Sequence, residues 1–173
     1  MRYEKMLLIV KKKPAYFRLL FHALGLAALY PLLVLLTPLL GLPPLIAWLY
    51  WGIVKLILAY ALIEGYRLTG LKRVAMVGVL LAVSGLLTFL PIWEPLIDAL
   101  EVVSVAGLSL FLFDVGRAYP LLGLEIPAGM LFVGIVLMML PDPTVGFVGL
   151  LLLLFGLTLS AVAARKGASL RMR

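Results

Sequence analysis

Six apolar runs, at residues 19–40, 45–66, 74–90, 96–113, 121–140 and 144–164, make up most of this chain. A helix crosses the hydrocarbon core of a bilayer, about 30 Å thick, with about 20 mostly apolar residues. Six crossings would use roughly 120 of the 173 positions, which leaves too little chain for a soluble domain. The runs predict an all-α polytopic membrane protein. Its six transmembrane helices are expected to form three helical hairpins, 19–66, 74–113 and 121–164, between a basic segment 1–18 and a basic tail 165–173. Composition agrees: 65% of residues are apolar and 13% charged, against about 45–50% and 25% in soluble domains.

The gaps between the runs divide by charge. Fourteen of the fifteen basic residues fall in the N-terminal segment, the Arg67 to Arg73 gap, Arg117 and the C-terminal tail. The alternate gaps, at Pro43-Pro44, Pro91 to Pro95 and Pro141 to Pro143, hold no basic residue and carry only Glu94 and Asp142, with Asp98 just inside the fourth run. Basic loops stay cytoplasmic, so both termini are expected there, in a multi-pass protein of the cell membrane. The same distribution explains the net charge of +7 without nucleic acid as a partner. The basic start is not read as a signal peptide, because the first run is too long and is interrupted by Pro31 and Pro38.

Cysteine, asparagine and glutamine are all absent. Lack of cysteine excludes disulfides, thiolate metal sites and thiol nucleophiles. Lack of all three thermolabile residue types, with abundant basic residues, points to a thermophilic source.

A period of about 50 residues runs through the chain. Pro43, Pro91 and Pro141 mark three turns, Gly107-Leu108-Ser109-Leu110 recurs as Gly156-Leu157-Thr158-Leu159, and Glu64-Gly65-Tyr66-Arg67 is followed by Asp114-Val115-Gly116-Arg117. Glycine-spaced helices that end in a proline turn (Gly78, Gly85, Pro91; Gly129, Gly134, Pro141), each with a return helix carrying Gly107 or Gly156, resemble the HdeD-type membrane proteins associated with acid resistance. The resemblance covers mainly residues 74–166 and implies a small six-helix membrane protein with no known catalytic site. The acidic fourth run and the prolines of the first depart from that pattern.

Lys55 is the one basic residue inside a run. Eleven residues beyond Pro44, at about 1.5 Å each, it lies roughly 16 Å deep, near the midplane, where a lone ammonium needs a partner or a wet cavity. Glu101, about 9 Å from the same surface on the fourth run, is the expected partner. Asp98, Glu101 and Ser104 recur every three residues and so share a helix face with Val105 and Leu108. Together with Lys55 they form a candidate polar site within the membrane, readable either as a proton or cation pathway or as a buried pair that fixes packing. Trp51 and Tyr60 lie deep enough to border it.

Two acid-x-x-Arg elements, Glu64/Arg67 and Asp114/Arg117, sit at the cytoplasmic ends of the second and fourth runs, spaced to pair on the helix surface. Interfacial anchoring is the simpler role. A gate of exchanging pairs would resemble mitochondrial carriers, but Leu62 and Leu112 replace that family's prolines and Val162 its third acid. Glu125 complements a helix N-terminus. His22, the only histidine, has no cysteine or second histidine to complete a metal site. No nucleophile motif, phosphate loop or dinucleotide fingerprint is present, so no enzyme, cofactor or metal is expected. Two functions remain. One is a small ion- or proton-coupled permease or channel-like component. The alternative is a structural or assembly subunit, self-associating or joined to other membrane chains, whose internal charges only set helix packing.

Overall fold

Pro44 and Pro143 each begin a helix, where the missing proline N–H is no loss because first-turn donors have no intrahelical acceptor. The computed structural model describes residues 14–90 and 94–169; the first thirteen residues with their basic cluster, residues 91–93, and Arg171 and Arg173 of the tail lie outside the described residues. Six α-helices follow in chain order: α1 (Pro14–Leu39), α2 (Pro44–Thr69), α3 (Lys72–Leu87), α4 (Glu94–Ala118), α5 (Glu125–Met138) and α6 (Pro143–Ser169). A short 3-10 turn, Pro120–Leu122, joins α4 to α5. The tight α2 to α3 connection depends on Gly70, whose φ of 65° is open to glycine at little cost while its N–H closes the helix on the Tyr66 carbonyl.

Four of these helices, α1, α2, α4 and α6, are long and apolar enough to cross a membrane. The other two are shorter than the apolar runs suggest. α3 has 16 residues and α5 has 14, about 24 and 21 Å at 1.5 Å per residue and short of a core about 30 Å thick. Residues 121–124, placed by their apolarity within the fifth span, instead form the 3-10 turn and its exit through Gly123. Both short helices are extended by tightened turns in equivalent places. Phe89 and Leu90 donate to the Leu86 and Leu87 carbonyls, and fifty residues later Met139 and Leu140 donate to Val136 and Leu137. These bonds reach three residues back rather than four, which stretches the last turn toward the proline.

The helices close into a ring. Each packs on its chain neighbours, and α6 returns to pack broadly on α1. Neighbours run antiparallel, as glycine contacts make plain along α2 and α3. A methyl group on Gly78 would meet Ala59, Leu62 and Ile63, one on Gly85 would meet Gly52 and Leu56, and one on Gly52 would meet Thr88 and Phe89. Small residues on α3 thus let it lie close against α2, the kind of approach that drives helix association where lipid removes the hydrophobic incentive. α5 and α6 approach through Gly134 and Gly149, where a methyl on Gly149 would stand 2.7 Å from the Gly134 carbonyl oxygen. The start of α1 meets the end of α6 at Phe17 and Gly167. α3 packs more extensively on α2 than on α4, so the helices do not separate into three isolated pairs.

Leu20, Leu24, Leu58, Leu62, Leu108, Leu112 and Leu131 are buried in the core. The outside is apolar as well, with Ile53, Met76, Ile126, Phe147 and Phe155 all more than half exposed or at that threshold. An apolar surface this extensive suits lipid rather than water as the solvent. α1 stays helical through Pro31 and Pro38. Tyr50 of α2 donates to the Leu26 carbonyl at 2.6 Å, which ties α2 to α1 five residues before Pro31, and Thr37 donates to the Leu33 carbonyl at 2.6 Å.

Candidate functional site

Side chains on a helix lean toward its N-terminus, so the Lys55 ammonium reaches back along α2 and lies 5.8 Å from the centre of the Trp51 ring, one turn earlier. Glu101 leans the same way on α4, toward the same face of the bundle. Lys55 Nζ and Glu101 Oε1 stand 2.8 Å apart. Two hydroxyls of α3 complete the shell: Thr88 Oγ1 at 2.8 Å and Ser84 Oγ at 3.1 Å from Nζ. The ammonium has three protons and here three oxygen acceptors, one carboxylate and two hydroxyls. Thr88 is held in turn, its hydroxyl 2.9 Å from the Ser84 carbonyl one turn back.

Glu101 also accepts from the Trp51 indole N–H at 3.0 Å, and the Trp51 ring stacks on Tyr30 of α1 with centroids 4.4 Å apart and planes 15° from parallel. Four helices thus meet at one cluster of Tyr30, Trp51, Lys55, Ser84, Thr88 and Glu101. The Lys55 side chain is 1% exposed and that of Glu101 22%, so the carboxylate is the more accessible member of the pair. Desolvating the ammonium is costly, and the completeness of its shell offsets that cost.

Other residues singled out by pattern are placed differently. Asp98, three residues before Glu101, is exposed. A spacing of three falls 60° short of a full circle, so Asp98 and Ser104 lie to opposite sides of Glu101, about 120° apart, and only the Ser104 side turns into the bundle. Ser104 is fully buried on the Glu101 side of α4, and its hydroxyl has no hydrogen-bond partner among the described residues. Tyr60 faces outward at 56% exposure, whereas Trp51 is buried. Glu64 and Arg67 form an ion pair on the surface of α2. Asp114 and Arg117 do not repeat it: Arg117 lies over the Phe113 ring, and Asp114 reaches across to Arg73 of α3 at 3.9 Å. Position four before the arginine offers an aromatic face, and the carboxylate then turns to the neighbouring helix. Glu125 opens α5, packed against Gly116. His22 is exposed beside Phe21, and no group of three metal-ligating side chains occurs among the described residues.

Ser84 and Thr88 join the cluster although neither carries a charge that marks it in the sequence. They are the only hydroxyl residues in the 74–90 run and lie four apart, hence on one face. That signal is visible in the sequence, but nothing there says that their face turns to Lys55.

Comparison with protein-family models, curated proteins and solved structures finds no match for this chain. The reading of its function therefore rests on the cluster and the surface around it.

Proposed function

We infer that this is a six-span, non-enzymatic membrane protein whose internal charge is a structural lock, and that it acts as an assembly or scaffold component of the membrane. The observation that carries this reading is the completed shell of Lys55. Its three protons are matched by Glu101, Ser84 and Thr88 at 1% exposure, so the ammonium has no donor left for a passing substrate. In this proposal α3 and α5 complete their crossings through the tightened turns before Pro91 and Pro141. The chain then reads as three successive hairpins with both termini on the cytoplasmic side, as the basic gaps suggest. The likeness to HdeD-type proteins belongs to the same proposal. So does association with further copies or other membrane chains through the apolar outer faces.

One observation favours a second reading, in which the cluster moves protons. Glu101 is 22% exposed and sits one turn from the buried, unpartnered Ser104 hydroxyl. Proton flux across proteoliposomes separates the two. A lock gives wild-type flux equal to that of empty vesicles, unchanged in Lys55→Met and Glu101→Leu. Wild-type flux that either substitution abolishes would replace the lock with a pathway.

A further inference from the structure

α3 and α4 are held together at one end through Lys55 and touch again midway, where a methyl on Gly107 would lie 2.8 Å from Val77. Beyond that contact they part. The opening is a cleft of about 530 Å³ between the two helices, lined deep down by Val74, Val77, Gly107 and Phe111, with Leu110 at its edge. Its mouth carries Lys72, Arg73 and Asp114. The volume falls within the roughly 300–1,000 Å³ of small-molecule sites.

Charge at the mouth is unbalanced. Two cations face one carboxylate, and the Arg73 guanidinium, 69% exposed, reaches Asp114 only at 3.9 Å. Lys72 is exposed, with no ion pair or side-chain hydrogen bond of its own among the described residues. From the mouth at Asp114 to the floor at Gly107 is seven residues, about 10 Å at 1.5 Å per residue and less than the roughly 15 Å of one leaflet's hydrocarbon. A cationic mouth at headgroup level over an apolar trough of that depth complements one kind of molecule: a negatively charged headgroup with acyl chains attached.

We propose that the α3–α4 cleft binds an anionic phospholipid, its phosphate between Lys72 and Arg73 and the upper part of an acyl chain along Val74, Val77, Leu110 and Phe111. The site requires only that the bundle be embedded in a bilayer and is independent of what the Lys55 cluster does. Nearby basic residues attract anionic lipid in general; the cleft adds a seat that holds one molecule.

The test is native mass spectrometry of the full chain released from nanodiscs of equimolar phosphatidylglycerol and phosphatidylcholine. Retained phosphatidylglycerol should exceed phosphatidylcholine about five-fold, as expected for a net gain of one basic contact. Lys72→Gln with Arg73→Gln should bring that ratio to unity. Leu110→Trp, which adds bulk at the edge of the cleft and keeps every charge, should do the same. Arg165→Gln with Lys166→Gln, which removes exposed cations from α6, should leave it unchanged. Thermal unfolding of each variant confirms that the bundle is intact. An equal loss in the α6 variant would reduce the effect to diffuse attraction, and an unaltered ratio in Leu110→Trp would remove the cleft from it. Displacement of the lipid by inorganic phosphate would make a free anion the occupant. Each of these outcomes overturns the proposal.

Discussion

Lys55 and Glu101 meet at 2.8 Å with unequal exposure, 1% for the cation and 22% for the anion. That inequality predicts an order of damage. Glu101→Gln strands a buried ammonium and should destabilise the bundle by about 3–5 kcal/mol, whereas Lys55→Met leaves a carboxylate that solvent partly reaches and should cost less. The double variant Lys55→Met/Glu101→Leu should recover most of the loss, since a well-packed apolar pair can replace a buried ion pair. Thermal unfolding in one detergent checks all three, and equal losses in the single variants would contradict the burial asymmetry.

Thr88 lies nearer the ammonium than Ser84 and is itself held by the Ser84 carbonyl. Thr88→Val keeps the shape and removes an acceptor from a buried charge, an expected loss of about 1–3 kcal/mol. Thr88→Ser should retain most of the stability. Ser84→Ala should fall between the two. The same unfolding measurement ranks them, and a harmless Thr88→Val would show that the ammonium does not depend on this hydroxyl.

Glycines in this bundle divide by what a side chain would strike. At Gly149 a methyl would meet the Gly134 carbonyl oxygen at 2.7 Å and the Met138 nitrogen at 2.8 Å, both backbone atoms that cannot rotate away. Gly149→Ala should therefore cost about 1–3 kcal/mol by forcing α5 and α6 apart. At Gly25 nothing lies within 4 Å. Gly25→Ala should be neutral or stabilising by up to about 1 kcal/mol, because alanine is the better helix former. Urea or heat titration of the pair distinguishes close backbone approach from mere helix propensity.

Asp142 introduces a pH dependence at the turn into α6. Its carboxylate accepts from the Val145 and Thr144 backbone N–H groups at 3.2 and 2.8 Å, which hold its pKa below the usual carboxylate value. A depressed folded-state pKa contributes stability that is present above the unfolded value and is lost as pH falls through the folded one. The wild-type unfolding temperature should therefore drop on acidification from neutral into the acidic range below that of ordinary aspartates. Asp142→Asn still caps the helix but has no proton to gain, so its profile should be flatter. Identical profiles would show that this cap adds nothing to acid sensitivity.

The placement of helices was largely legible because each helix here must bury or expose apolar surface along its whole length, and the gaps carry the charge and proline that end it. Less legible were the lengths of α3 and α5. Both end in tightened turns before a proline, and the 3-10 turn at Pro120–Leu122 is as apolar as a helix, so hydropathy alone runs through it. Depth counting brought Lys55 and Glu101 to neighbouring levels because rise per residue is constant along a helix. It gave no azimuth. Asp98 accordingly turns outward, Asp114 turns to Arg73 instead of Arg117, and Ser84 and Thr88 enter the cluster from a helix that carried no charge near them.

Taken alone, the sequence determined that this chain is helical, that its helices suit a bilayer, and that one ammonium would need a partner within it. Hydropathy, proline and charge act along the chain, so one dimension suffices for those conclusions. Which faces meet depends on how six helices rotate and close into a ring, with α6 against α1 and α3 tight against α2. Close approach at Gly78, Gly85, Gly134 and Gly149 selects those rotations. Only the packed bundle therefore decided that Lys55 is shared among Glu101, Ser84 and Thr88, and that a cationic cleft opens where α3 and α4 part.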